Sequence, residues 1–148
     1  IDNKFFNMSV ENFFDSNTTK YNLVYCDSPY NSRQYSSVFH VPETICNNFS
    51  TQTKGKVNLP RELYKSKFSQ KKNVSDSYDR LIDNVSQITN NFLVSYSNEG
   101  LLSVDLICEK MLRKFDKVET YKLEYRKFNT NRKDDKNKVT EYLIYGKK

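Results

Sequence analysis

Tyr21-Asn-Leu-Val-Tyr-Cys-Asp-Ser-Pro-Tyr-Asn-Ser-Arg-Gln-Tyr35 is the stretch from which the fold can be read. Its first six residues are apolar apart from Asn22, two tyrosines, a leucine, a valine and a cysteine, and Asp27-Ser28-Pro29 stops the run. The pattern predicts a buried strand that delivers polar side chains at its C-terminal end. Open α/β sheets bind their ligands at that end of their strands. The pattern recurs at Asn91-Phe-Leu-Val-Ser-Tyr-Ser97, a second buried strand tipped by Asn98 and Glu99 before Gly100.

Between and after these strands the apolar period changes. Following Ser75, the residues Tyr78, Leu81, Ile82, Val85 and Ile88 recur at i, i+3, i+4, i+7 and i+10, one stripe of an amphipathic helix that packs on a sheet or another helix. Ser103 is the expected N-cap of another helix. There Val104, Ile107, Cys108, Met111, Leu112 and Phe115 share a face, while Lys110, Arg113 and Lys114 suit the negative C-terminal end. Val118 to Phe128 and Val139 to Tyr145 read as strands of a long antiparallel hairpin across the charged run Asn129 to Lys138. Upstream, residues 1–20 form a lead-in segment, an apolar start with a short helix around Val10 to Phe14 and a polar loop to Lys20. Strands alternating with helices imply an α/β fold with a parallel sheet, to which the hairpin adds antiparallel members.

Composition bounds the chemistry. The chain has 148 residues, one domain or part of one, with a mean hydropathy of -0.82. Its 10 Phe and 11 Tyr supply enough apolar bulk for a core. No run approaches the ~18 apolar residues of a membrane span, and no secretory leader is visible. Cys26, Cys46 and Cys108 stand at unrelated spacings that fit neither a disulfide framework nor a zinc site, which points to the reducing cytoplasm. His40 is the single histidine, an ordinary polar residue after a loop on this reading, so two-histidine metal sites are excluded and no metal is expected. Only Gly55, Gly100 and Gly146 are present, too scattered for a phosphate-binding loop. A start at Ile1, with no Ala or Trp and abundant Asn, Lys and Ile, suggests a fragment from an AT-rich genome without its natural N-terminus.

Asp27-Ser28-Pro29-Tyr30, continued by Asn31-Ser32-Arg33-Gln34-Tyr35 with Glu43-Thr44-Ile45 downstream, resembles the catalytic motif Asp/Asn/Ser-Pro-Pro-Tyr/Phe/Trp of the Dam-like adenine-specific DNA methyltransferases. Leu93-Val-Ser-Tyr-Ser-Asn-Glu-Gly-Leu101 and Glu141-Tyr-Leu-Ile144 follow as later landmarks, and the likeness spans most of residues 21–148. It implies a Rossmann-like S-adenosylmethionine-dependent methyltransferase fold. In that fold the sheet order is 3-2-1-4-5-7-6, and this chain would supply strands 4-5-7-6 with the antiparallel terminal hairpin.

The resemblance also implies roles. An exocyclic adenine amine is a poor nucleophile, because its lone pair is delocalised into the ring. The Asp27 carboxylate and the Ser28 carbonyl would accept hydrogen bonds from it, Pro29 would stiffen the turn, and Tyr30 would stack on the base flipped from double-stranded DNA. Asp27 would also border the cofactor. Asn31, Arg33, Tyr35, Ser95, Tyr96 and Asn98 would contribute to binding the substrate, although for Arg33 a buried pair with Glu43 is a second reading. Ser28 departs from the family's proline, which frees φ and adds an N–H.

The glycine-containing loop that binds S-adenosylmethionine in such enzymes has no counterpart here, so the cofactor half is expected from a missing N-terminal half or a partner chain. The edge of the strand bearing Asp27 would stay open for it, or for a second copy.

Residues 49–74 form a basic loop region. From Lys54 to Lys72 seven basic residues face one acid, Glu62, a local charge of +6. Lys54, Lys56, Arg61, Lys65 and Lys67 are candidates for DNA phosphate contacts; the alternative is a solvated loop. Asp134-Asp-Lys136 matches part of a nuclease motif without the partner it needs. The sequence reading is a site-specific DNA adenine methyltransferase of a restriction-modification or orphan system, present as a fragment. Its competitor is a non-catalytic DNA-binding or subunit-interaction module on the same fold; a single-strand or RNA-binding module lacks the aromatic spacing it would need.

Overall fold

The computed structural model describes residues 3–46, 48–50, 52–126 and 138–148. The Asp134-Asp-Lys136 match and most of the charged hairpin loop lie outside them. A four-stranded sheet carries the structure, built from β1 (Val24–Cys26), β4 (Asn91–Ser97), β5 (Lys117–Arg126) and β6 (Lys138–Lys147). Its spatial order is β1-β4-β6-β5. β1 runs parallel to β4, with Val24 opposite Phe92, and β6 is antiparallel to both neighbours. The sheet is therefore mixed, as the alternation of strands and helices with a terminal hairpin predicts.

Two helices cover one face. The apolar stripe beginning at Tyr78 lies on α4 (Val74–Ile88), where Tyr78, Leu81, Ile82, Val85 and Ile88 are all buried. α5 (Val104–Leu112) starts at Ser103, whose side chain accepts from the Leu106 N–H at 3.2 Å, as expected of an N-cap. Its residues Ile107 and Met111, with Phe115 beyond, meet α4 and the alternate residues Phe92, Val94 and Tyr96 of β4 and Ile144 of β6 in one core. The period of two puts those side chains on the helix face, with Val118 of β5 and Tyr142 of β6 packed beside them. Leu112, expected on the buried face, is 55% exposed, because Ile107 and Met111 take the core-facing positions and the next residue of the helix is turned about 100° away from them. Lys110 is buried instead, with Nζ 2.6 Å from Asp79 of α4, and Arg113 and Lys114 pair with Asp79 and Asp83, so the two helices are clamped by charge.

The opposite face of the sheet is thinly covered. Tyr25, Tyr121, Leu123 and Leu143 are 55%, 56%, 68% and 39% exposed. This corrects the expectation of a buried strand over Tyr21 to Cys26. Only Val24–Cys26 pairs, Tyr21 adds an isolated bridge to Thr89, and Leu23 and Tyr25 are open because β1 is an edge strand with one uncovered side.

The lead-in segment forms α1 (Val10–Ser16), capped by Ser9, with Val10 and Phe14 against the core. Downstream of the motif come α2 (Tyr35–Val38) and α3 (His40–Cys46), then a small hairpin of β2 (Thr53–Lys54) and β3 (Leu59–Pro60). A 3-10 turn at Lys67–Ser69 follows, with Phe68 and Ser69 buried. The basic region is thus partly structured rather than a plain loop. His40 ties it down, its ring nitrogens 2.9 Å from the Ser37 carbonyl and 3.0 Å from the Val57 carbonyl.

Candidate functional site

The chain leaves β1 at Cys26, and the next four residues divide between solvent and core. Asp27 is exposed at the strand's C-terminal tip, Ser28 is buried, and Pro29 and Tyr30 are half-buried. The Ser28 hydroxyl lies 2.5 Å from the hydroxyl of Tyr78 on α4. The Tyr30 carbonyl accepts from the Leu101 N–H at 2.7 Å, which fastens the turn to the loop after β4. The Tyr30 ring meets Tyr96 edge-on at 6.1 Å, Tyr96 meets Tyr78 at 5.9 Å, and Tyr78 meets Phe68 at 5.4 Å. Edge-to-face pairs of this kind hold a fixed geometry.

Burial sets the electrostatics under this turn. It pushes the Cys26 thiol up to about 11, against a partial offset from the hydrogen bond with Ser28. Burial likewise raises Tyr78 far above the ordinary phenol range, again offset in part by Ser28. Both groups stay neutral at physiological pH, and the Asp27 carboxylate is the acidic side chain of the four-residue turn.

Asp27, Ser28 and Pro29 open onto a cavity of about 360 Å³, also bounded by Gln34, Tyr35, Tyr64, Lys67 and Phe68. That volume lies in the range of small-ligand sites. Its outer wall is held by the residues following the turn. The Gln34 side chain accepts from the Ser66 N–H at 2.8 Å and donates to the Ser66 carbonyl at 3.3 Å. The Ser36 hydroxyl donates to the Tyr64 carbonyl at 2.5 Å, and the Ser69 hydroxyl to that of Arg33 at 3.3 Å. The basic region is stapled to the turn by these bonds.

The residues expected to bind substrate separate into two groups. Tyr35 lines the cavity, half exposed and edge-on to Phe39. Asn31 is beside it in sequence but serves the turn, its side-chain oxygen accepting from the Arg33 N–H at 2.9 Å. Arg33 and Glu43 are both exposed and form no ion pair among the described residues, which corrects the reading of a buried pair; each sits on the outer surface of its segment.

Ser95, Tyr96 and Asn98 stand away from the cavity. Strand alternation turns Ser95 to the face opposite Tyr96. Tyr96 is fully buried, its hydroxyl accepting from the Leu102 N–H at 3.0 Å, so it supports Tyr30 from within the core. Asn98 pairs with Thr140 through two bonds of 3.0 and 3.1 Å at the strand end. Tyr78, Gln34 and Tyr64 are the site residues that sequence reasoning missed. Tyr78 reads as an ordinary member of a helical stripe, Gln34 stands inside the motif stretch without a role assigned to it, and Tyr64 carries no motif.

Lys54, Lys56, Arg61, Lys65 and Lys67 are all exposed, and none takes part in an ion pair among the described residues. Lys67 reaches the cavity wall. Their charge is therefore available to an anionic partner.

The three glycines do not make a cradle for a cofactor. Gly55 is in a turn at φ 73° in open space, a Cβ on Gly100 would strike the Tyr96 ring, and one on Gly146 would strike Met111 and Phe115. Among the described residues no group of His, Cys, Asp and Glu is arranged for a metal ion, and no helix is long and apolar enough to cross a membrane.

Comparison with known proteins gives a consistent set of likenesses. Residues 1–109 match the family described as D12 class N6 adenine-specific DNA methyltransferase. The chain is 38% identical over 127 residues to the type II methyltransferase M.FokI of Planomicrobium okeanokoites, covering 83% of this chain and 19% of that protein. It is 34% identical over 125 residues to type II methyltransferase M.NlaIII of Neisseria lactamica, covering 82% of this chain and 36% of that protein. With type II methyltransferase M.CviAII of Paramecium bursaria Chlorella virus 1 it shares 34% over 127 residues, 85% of this chain and 37% of the relative. The chain spans about a fifth to a little over a third of the length of these curated relatives. No solved structure matches it significantly.

Proposed function

Because the chain belongs to the D12 class N6 adenine-specific DNA methyltransferase family, we propose that its Asp27 turn is the amine-binding end of a site that methylates adenine N6 in double-stranded DNA. The observation that carries this reading is the exposed Asp27 carboxylate at a strand tip, opening onto a cavity of base size whose wall includes Tyr35 and Lys67. The carboxylate and the Ser28 carbonyl accept from the amine's N–H groups, which aims the nitrogen lone pair out of the base plane. Holding that orientation is most of what the reaction asks of the protein. Tyr30, braced by Tyr96, belongs to the same turn but not to the lining of that cavity, and from there it would offer an aromatic surface to a base taken out of the stack. The exposed lysines and Arg61 beside the cavity supply phosphate contacts without sequence information.

S-adenosylmethionine is the methyl donor of this family. Of the residues present, Asp27 would border its methyl end; the three glycines are scattered and form no cradle, so they do not fit the rest of the cofactor. We therefore read β1-β4-β6-β5 as strands 4-5-7-6 of a Rossmann-like methyltransferase sheet, a reading supported by the observed order and by the antiparallel β6. The cofactor loop then belongs to a segment or partner chain that lies along the free edge of β1 and the uncovered sheet face. The type II names of the relatives support a restriction-modification setting, which we place in the cytoplasm.

The test is transfer of label from methyl-tritiated S-adenosylmethionine to adenine-containing duplex DNA. The chain is assayed alone and mixed with a polypeptide bearing a glycine-containing cofactor loop. The mixture is expected to transfer label, and Asp27→Ala, at an exposed position, is expected to lower the rate by about 10²–10³-fold without altering the fold. No transfer by the folded mixture would replace this reading with that of a DNA-binding or subunit-interaction module.

A further inference from the structure

Ser28 is the loosest link in the turn. Pro29 fixes its own φ, and the residue before a proline is biased to extended backbone, but the Ser28 side chain is free to rotate unless something holds it. What holds it is a buried hydroxyl from a different element, Tyr78, 50 positions away and 2.5 Å distant. The same Tyr78 ring is edge-on to Tyr96, and Tyr96 is edge-on to Tyr30. One side chain of the crossover helix thus touches the turn at Ser28 directly and reaches Tyr30 through the ring of Tyr96. Phe68, from the segment that walls the cavity, closes on the far side of Tyr78.

We propose that Tyr78 is a positioning residue of the methyl-transfer site: through its hydroxyl on Ser28 and its ring on Tyr96 it sets where the Ser28 carbonyl and the Tyr30 ring stand relative to Asp27. The inference rests on the assignment of the Asp27 turn as the amine-binding site. It goes beyond that assignment in naming a residue outside the turn that governs its shape. Tyr78→Phe keeps the ring and removes the hydroxyl, leaving the Ser28 hydroxyl buried without this partner. Ser28→Ala removes the other partner, and the double variant removes both, the pattern in which buried hydrogen bonds are strongly non-additive.

Two measurements decide it. In the 148-residue chain, hydrogen exchange of the Leu101 amide, which donates to the Tyr30 carbonyl, reports docking of the turn. Tyr78→Phe should speed it about tenfold while the Val94 and Ile107 amides of the core keep their rates, and Tyr78→Phe in a Ser28→Ala background should add nothing. Equal acceleration throughout the core would reduce Tyr78 to packing and overturn the proposal. In the methyl-transfer mixture, Tyr78→Phe should lower kcat about tenfold with KM for DNA within about twofold of wild type. A change confined to KM would also overturn it. A wild-type mixture without transfer would instead defeat the assignment of the turn, and the exchange experiment would still decide the role of Tyr78.

Discussion

Gly100→Ala is the substitution whose cost the structure specifies most directly. The added Cβ would stand 2.2 Å from Cε1, 2.4 Å from Cζ and 2.5 Å from the hydroxyl oxygen of Tyr96. Carbon atoms in contact sit about 3.5–4.0 Å apart, so the ring has to retreat by more than about 1 Å. It has nowhere to go, being fully buried between Tyr30 and Tyr78. Overpacking of this sort costs about 1–3 kcal/mol. Loss of the bond from the Leu102 N–H adds about 1 kcal/mol, and the reduced freedom of the unfolded chain returns about 0.4–1 kcal/mol. The expected destabilisation is about 1–3.5 kcal/mol, read as a lower urea midpoint with an unchanged slope by far-ultraviolet circular dichroism. Gly55→Ala provides the contrast: at φ 73° with no atom within 4 Å it meets no clash, and the cost of a left-handed backbone, about 1–2 kcal/mol, is offset by the same return of about 0.4–1 kcal/mol from the unfolded chain. A Gly100→Ala midpoint equal to wild type, or a smaller loss than Gly55→Ala, would refute the reasoning that Tyr96 fills the space a side chain at 100 would need.

Three further outcomes follow from other parts of the molecule. Asp79→Ala should cost about 3 kcal/mol because it strands the buried Lys110 ammonium, whereas Lys110→Met should be nearly neutral and should rescue Asp79→Ala; equal losses from the two single variants in urea denaturation would contradict this. Replacing Lys54, Lys56, Lys65 and Lys67 by Gln should weaken DNA binding alike for all sequences. It should flatten the plot of log affinity against log salt by up to about 0.9 for each phosphate no longer neutralised, and an unchanged slope in fluorescence-anisotropy titrations would place DNA elsewhere. Cys26 is an acid whose folded-state pKa is raised from 9.0 to about 11, so its contribution to stability is complete below pH 9 and is lost as pH climbs towards 11. Cys26→Ala should therefore flatten the decline of stability across that window, measured by urea midpoints at successive pH values.

The parts legible in the sequence are those with a period. β4 and α4 emerge within a residue or two of their expected bounds and α5 ends three residues before Phe115, because each buries one regular set of side chains: Phe92, Val94 and Tyr96 at period two, Tyr78 to Ile88 near 3.6. β2 and β3 have two residues each and carry no period at all, so they lie hidden in a basic, irregular stretch. Lys110 reads as a C-terminal charge, and only the position of Asp79 on a facing helix makes it a buried one.

The candidate site divides in the same way. Asp27 and Tyr35 are found by local motif, and the structure brings both to one cavity. Ser95, Tyr96 and Asn98 share a strand end with one another, but alternation and the Thr140 register send them in three directions. The Ser28–Tyr78 contact joins positions 50 apart, and nothing near either residue announces it.

The parallel pairing of β1 with β4 also has a bearing on synthesis. During translation the motif strand leaves the ribosome long before Phe92, the residue that Val24 must meet, has been made. β5 and β6, by contrast, are joined locally and can zip up as soon as they emerge. Non-local parallel strands form late for this reason, after the loop-closure entropy has been met. Until β4 arrives, Leu23 and Tyr25 have no sheet to join, and even afterwards they stay half exposed. The nascent chain thus offers a sticky aromatic strand for much of its synthesis, which makes this segment the natural place for a chaperone to bind and for misassembly between neighbouring chains to begin.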